Sequence, residues 1–298
     1  MDENSVADFK KAGKIAGLAR DFGASLIKED ASVLEILDSV ELFILKQDAG
    51  IAFPAQMSLN KYAAHVCSAH NDQTRIAAAD VVKLDVGVHI NGFIGDTALT
   101  VNLNNEFKDL VQASKAALKE ASSMFTPGTP VGEIGGCIQE TITSLGFQPV
   151  RNLSGHGLGQ FEIHTTPSIP NVHLKDSFVL QEGMSVACEP FATDGQGMIS
   201  DSGDATIFSL VDSKPVRSPF ARDLLKKIKT YDGLPFTTRW LTKEFGDGKT
   251  RLGLRDLERA GIIHGHPPLK EVTNGLVSQH EHSFLVADKP FITTKSED

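Results

Sequence analysis

The chain has 298 residues, 41% of them hydrophobic and 22% charged, a balance that suits one large globular domain or two modest ones and excludes global disorder. No apolar run reaches the roughly 18 residues that cross a bilayer, and a net charge of −9 argues against a surface that grips nucleic acid all over. Cys67, Cys137 and Cys188 are isolated and form no C-x-x-C pair, so neither a disulfide framework nor a cysteine zinc site is expected.

The opening MDENSVADFKK is polar and acidic, unlike a secretory signal, and with the lone cysteines it predicts a cytoplasmic protein. Helical spacing predicts amphipathic helices over 5–22 and 31–48. The second carries Val33, Leu37, Val40 and Ile44 as its apolar stripe, Asp30 as N-cap and Gly50 beyond its end. Runs rich in β-branched residues over 81–90 and 93–101 flank Asn91-Gly92, the strongest two-residue hairpin signal, because both turn positions need positive φ. Helices near 105–125 and 131–145 follow, separated by Pro127-Gly128, with Pro130 at a first helical position. Short strands are predicted near 148–153, 184–189 and 277–287. Helix-helix-hairpin followed by helix-helix-strands indicates an α+β chain of two similar halves without a literal repeat. Three helical runs, PFARDLLKKIKT, TTRWLTKEF and TRLGLRDLERAG, interrupt the later strands and predict a helical insertion over 205–268. Charge changes sign there: Lys214 to Arg259 holds 12 Lys+Arg and 6 Asp+Glu.

Aspartate is depleted in strand interiors, yet Asp85 and Asp96 each sit inside one arm of the hairpin. A two-residue turn pairs residues whose numbers sum to 183, so Asp85 faces Ala98 and Asp96 faces Gly87. Both carboxylates then project from one face as diagonal neighbours about 7–8 Å apart. They repel unless a cation lies between them, and two metals about 3.5–4 Å apart would fit the span; two aspartates facing water is the competing reading. His156, in NLSGHGLGQ, has glycines around it that let backbone approach a ligand, or it is a bystander in a glycine loop. Strand alternation puts Ser185, Ala187 and Glu189 on one face and leaves Cys188 as core. The same parity groups Gln279, Glu281 and Ser283, and turns His280 and His282 away toward a polar rim or supporting role.

Together KLDVGVHINGFIGDTALTV, NLSGHGLGQFEIH, ACEPFATDG and SQHEHSFLV resemble the signatures of type 2 methionine aminopeptidases, the archaeal branch in particular. The resemblance implies the pita-bread (creatinase/aminopeptidase) fold, with a catalytic domain over 1–204 and 269–298 and the type 2 insertion over 205–268. It implies a metal-dependent hydrolase that removes N-terminal methionine before a small second residue. Its metal ligands would be Asp85, Asp96, His156, Glu189 and Glu281, with Glu189 also handling the proton of the attacking water. His65 and His164 would act on the scissile amide, and Phe53, Ile163, His65 and His164 would line the methionine pocket. Four carboxylates and one imidazole suit two divalent ions of Co, Mn, Fe(II) or Zn, which would activate a hydroxide between them.

Some positions depart from the family. His266 stands in GHPPL where tyrosine is usual, QHEHS replaces QFEHT, and GMISDSGDATIF lacks a pocket histidine of eukaryotic members. Two rival readings share the fold. An Xaa-Pro peptidase usually carries a large domain ahead of the first aspartate, and a catalytically inactive binding protein would lack ligands. Nascent chains are the implied substrate. The basic insertion then suggests ribosome contact or, more plainly, a solvated helical face. A monomer without membrane association is expected.

Overall fold

The computed structural model describes residues 2–175 and 177–295. Its first half runs α1 (Glu3–Leu26), α2 (Val33–Leu45), β1 (Gly50–Leu59), β2 (Tyr62–Ala64), β3 (Val81–Ile90) and β4 (Phe93–Asn102). Asp2 caps α1 by accepting the Ser5 N–H at 2.8 Å. The cap of α2 is Ser32 and not Asp30. The chain before it is tied to a neighbouring segment, Asp30 N–H donating to the Ile76 carbonyl and Val33 N–H to that of Thr74, which holds Asp30 in the left-handed region at φ 62°. The sheet β1-β3-β4 packs on both helices through Ile15 and Ala19 of α1, Leu37 and Val40 of α2, and Met57 and Leu84 of the sheet. In the hairpin, Asn91 (φ 51°) and Gly92 (φ 89°) supply the turn, and Asp85 pairs with Ala98 and Gly87 with Asp96.

The second half repeats the plan. It holds α3 (Lys108–Ala121), α4 (Val131–Ser144), β5 (Gln148–Pro149), β6 (Ser154–Gly159), β7 (Glu162–Pro170), β8 (Ser185–Cys188), β9 (Phe191–Thr193) and β10 (Ile199–Asp201). After residue 268 come β14 (Leu269–Glu271), β15 (Val277–Gln279), β16 (His282–Leu285) and β17 (Phe291–Ile292). The five-stranded sheet β17-β16-β8-β6-β7 lies on α3 and α4 over Ile134, Ile138, Val186, Cys188 and Phe284. The strand expected over 148–153 shrinks to β5: Val150 N–H still donates to the Phe191 carbonyl at 3.0 Å, but Arg151 N–H turns to that of Gly197 at 2.9 Å and the pairing with β9 ends. The glycine-rich segment around His156, open to a reading as ligand approach or as a loop, is strand β6. A Cβ on Gly155 would lie 2.2 Å from the Ala187 carbonyl oxygen, and one on Gly157 2.3 Å from that of Thr166, so these glycines serve strand-to-strand approach inside the sheet.

Between β10 and β14, residues 207–266 form β11 (Ile207–Leu210), α5 (Pro219–Ile228), β12 (Phe236–Thr237), α6 (Thr238–Phe245), α7 (Asp247–Arg259) and β13 (Ile263–His266). They enclose their own core of Leu224, Ile228, Phe236, Leu241 and Leu257. Arg239 fastens this unit to α2. Its guanidinium, fully buried, donates to Glu41 Oε1 at 2.6 Å and Oε2 at 2.9 Å and also to Asp38. Trp240 Nε1 adds a bond to Glu41 Oε2 at 2.8 Å.

Candidate active site

The two sheets are sutured along β4, and the suture assembles the site. Ser283 Oγ accepts the Asp96 N–H and donates to the Asp96 carbonyl, both at 2.8 Å. Thr97 Oγ1 donates to the Glu281 carbonyl at 2.8 Å, Thr100 Oγ1 to that of Gln279 at 2.6 Å, and Glu281 N–H to that of Ala98 at 2.9 Å. Glu281, in the break between β15 and β16, is thereby carried onto the acidic face of the hairpin. His156 projects from β6, and Glu189 follows the end of β8, where Pro190 stops the ladder.

All five proposed metal ligands line one cavity of about 250 Å³, together with Phe53, His65, Ile163 and His164. Asp96, His156 and Glu281 form its tightest group, with ligand atoms within 4.8 Å of one another. Asp85 and Glu189 lie in the same cavity outside that triad. His156 Nε2 is 3.8 Å from Asp96 Oδ2 and 3.8 Å from Glu189 Oε1, and Gln279 Nε2 steadies Glu189 Oε2 at 3.3 Å. His164 packs edge-on against His156 at 4.3 Å between ring centres. His65 sits at φ 63°, a region a residue with a side chain adopts only under constraint, and its N–H is held by Gln56 Oε1 at 2.8 Å. Neither His280 nor His282 reaches a polar rim. His280 Nδ1 bonds Ser114 Oγ at 2.9 Å under α3, and His282 Nδ1 bonds Thr294 Oγ1 at 2.8 Å, so both brace the back of the sheet.

Four carboxylates in so small a space cannot all be charged at ordinary cost. Burial pushes Asp85 up to about 7. Burial and then Asp85's charge raise Asp96; burial and then neighbouring carboxylates raise Glu189 and Glu281 well above their usual range. His156 goes the other way, to about 3, through burial and then His164, so its ring is neutral and able to ligate. Among the described residues, Asp85 Oδ1 is buried without a hydrogen-bond partner. Crowded acids, an orphaned carboxylate oxygen and a neutral imidazole fit a divalent cation bound by hard oxygen donors and one nitrogen.

Other lining residues were not singled out from sequence. Ile207, Ser209, Pro235 and His266 belong to the stretch from β11 to β13 and wall one side of the cavity; Gln56, Asn152, Leu153 and Ser154 stand elsewhere around it. Two departures noted in the sequence fall on this wall: His266 in GHPPL, and GMISDSGDATIF, which ends on Ile207 and Phe208. Gln279 and Ser283 were placed on the correct face, but their grip on Glu189 and Asp96 was not readable.

Residues 7–209 match the model of metallopeptidase family M24. The chain is 44% identical to the methionine aminopeptidase of Methanocaldococcus jannaschii over 96% of this chain and 97% of that protein. It is 42% identical to the methionine aminopeptidase of Pyrococcus horikoshii, over 96% and 98% respectively. The crystal structure of methionine aminopeptidase from Thermotoga maritima covers 99% of this chain and 98% of that one with a TM-score of 0.74 at 23% identity, which shows a common α+β pita-bread fold. The chain belongs to metallopeptidase family M24 and, within it, to the methionine aminopeptidases. No helix among the described residues is long and apolar enough to cross a membrane.

Proposed function

We propose that this protein hydrolyses the first peptide bond of peptides and nascent proteins, releasing N-terminal methionine ahead of a small second residue. The observation that carries the reading is the convergence of Asp85, Asp96, His156, Glu189 and Glu281, drawn from separate strands and loops, on one cavity. We assign these five to two divalent ions of the Co, Mn, Fe(II) or Zn type. When bound, such ions supply Lewis acidity and draw the pKa of a water toward neutrality.

The chain's own groups do the rest. Glu189 Oε1 takes a proton from the attacking water and returns it to the leaving amine, while Gln279 fixes the other oxygen. His65, pushed down to about 4 by burial and then by His266 and His164, is neutral at working pH and offers a ring N–H to the developing oxyanion, a task it shares with His164. Phe53 and Ile163, both buried in the cavity wall, receive the thioether, a flexible and polarisable group. We assign catalysis to 1–204 with 269–298 and treat 205–268 as the insertion. The cytoplasm is the compartment this substrate implies, a monomer the working unit, and the basic insertion a surface suited to ribosomal RNA. Salt-sensitive co-sedimentation with ribosomes tests that contact. The central reading is tested by release of free methionine from Met-Ala-Ser with added manganese and its loss on chelation. A folded, manganese-loaded protein that releases none refutes it.

A further inference from the structure

This inference rests on the methionine aminopeptidase reading and concerns what the pocket admits. In the inserted sheet, Ile207 lies opposite His266 and Ser209 opposite His264. Ile207, Ser209 and His266 therefore share the face that lines the cavity. Ile207 presents hydrocarbon, but its neighbours do not. Ser209 Oγ and His266 Nε2 are 2.8 Å apart, and among the described residues neither side chain makes another hydrogen bond. Burial and then His264 push His266 down to about 4, so the ring is neutral near neutral pH.

A neutral imidazole carries one N–H and a serine one O–H. Their mutual bond consumes one of these two donors. If Nε2–H donates to Ser209, the serine O–H is free; if serine donates to Nε2, the ring's Nδ1–H is free. Either tautomer leaves one donor without a protein partner. A thioether is a weak acceptor and makes little use of it, whereas a sulfoxide oxygen is a strong one. In a wholly apolar wall that oxygen would be stripped of water with nothing in exchange.

We propose that the Ser209–His266 pair makes this enzyme accept N-terminal methionine sulfoxide, the first oxidation product of methionine, alongside methionine itself. The same peptide bond is cleaved by water in both cases, and the sulfoxide leaves unchanged on the free amino acid.

The test compares kcat/KM of the manganese-loaded protein on Met-Ala-Ser, methionine-sulfoxide-Ala-Ser and norleucine-Ala-Ser. The wild type is expected to process the sulfoxide within about tenfold of methionine. The Ser209→Ala/His266→Phe double variant, which removes both donors and keeps side-chain bulk, is expected to lower the sulfoxide-to-methionine ratio by a further tenfold or more, with the norleucine-to-methionine ratio held. Wild-type discrimination against the sulfoxide beyond about tenfold overturns the proposal without need of any variant. So does a ratio that the double variant leaves unchanged. A wild type inactive on all three peptides refutes the aminopeptidase reading instead.

Discussion

The crowding of acids makes a prediction about the metal-free protein. Asp85 is raised from 3.8 to about 7, chiefly by burial. Between those values the folded protein keeps a proton that the unfolded chain has released. The contribution to stability is therefore full below pH 3.8 and is lost as pH rises through about 7. Across pH 5 to 7 the span is two pH units, or about 3 kcal/mol at roughly 1.4 kcal/mol per unit. Asp85→Asn keeps the shape and removes the titration. Urea unfolding of chelator-stripped protein at pH 5 and pH 7.5 should show the wild type losing at least about 3 kcal/mol more than the variant, since the charge on Asp85 also raises Asp96, Glu189 and Glu281. Buried histidines work in the opposite sense below pH 6.5, but they cancel in the difference between the two proteins. Added manganese should stabilise the wild type more than Asp85→Asn, reversing their order at pH 7.5. Parallel pH dependences for both stripped proteins would refute the claim that burial of this carboxylate strains the empty site.

Three further outcomes follow from named contacts. Glu189→Gln should leave the fold intact and cut kcat by about 10²–10⁴, the usual worth of a general base; comparable turnover in steady-state assays would remove the proton role. His65→Ala should lower kcat by about a hundredfold while metal content, read by elemental analysis, stays near the wild-type value; parallel loss of metal would make His65 a structural residue. Arg239→Ala leaves Glu41, only 6% exposed, without its guanidinium and should cost about 3–5 kcal/mol in chemical denaturation. A loss below about 1 kcal/mol would mean that residues 207–266 are held by their apolar contacts alone.

Much was legible along the chain where local geometry decides. Asn91-Gly92 permits one turn, a two-residue turn sets the pairing, and period-two alternation then places Asp85 and Asp96 on a common face without knowledge of any other residue. The same alternation separated Glu189 from the buried Cys188, and Glu281 from His280 and His282. What could not be read was anything that depends on segments far apart in sequence. Asp96 meets Ser283 across 187 positions, and nothing in either stretch announces the partner. The glycines beside His156 carry the same composition whether they approach a ligand or a neighbouring strand, and only the packed sheet, with a carbonyl 2.2 Å from the missing Cβ of Gly155, decides between them. The cap of α2 moved from Asp30 to Ser32 because a distant segment at 74–76 bonds the chain just before the helix. The wall of Ile207, Ser209 and His266 likewise exists only once β13 returns beside β11. Backbone parity is a property of consecutive residues and is written locally; convergence is a property of packing, set by which faces bury one another.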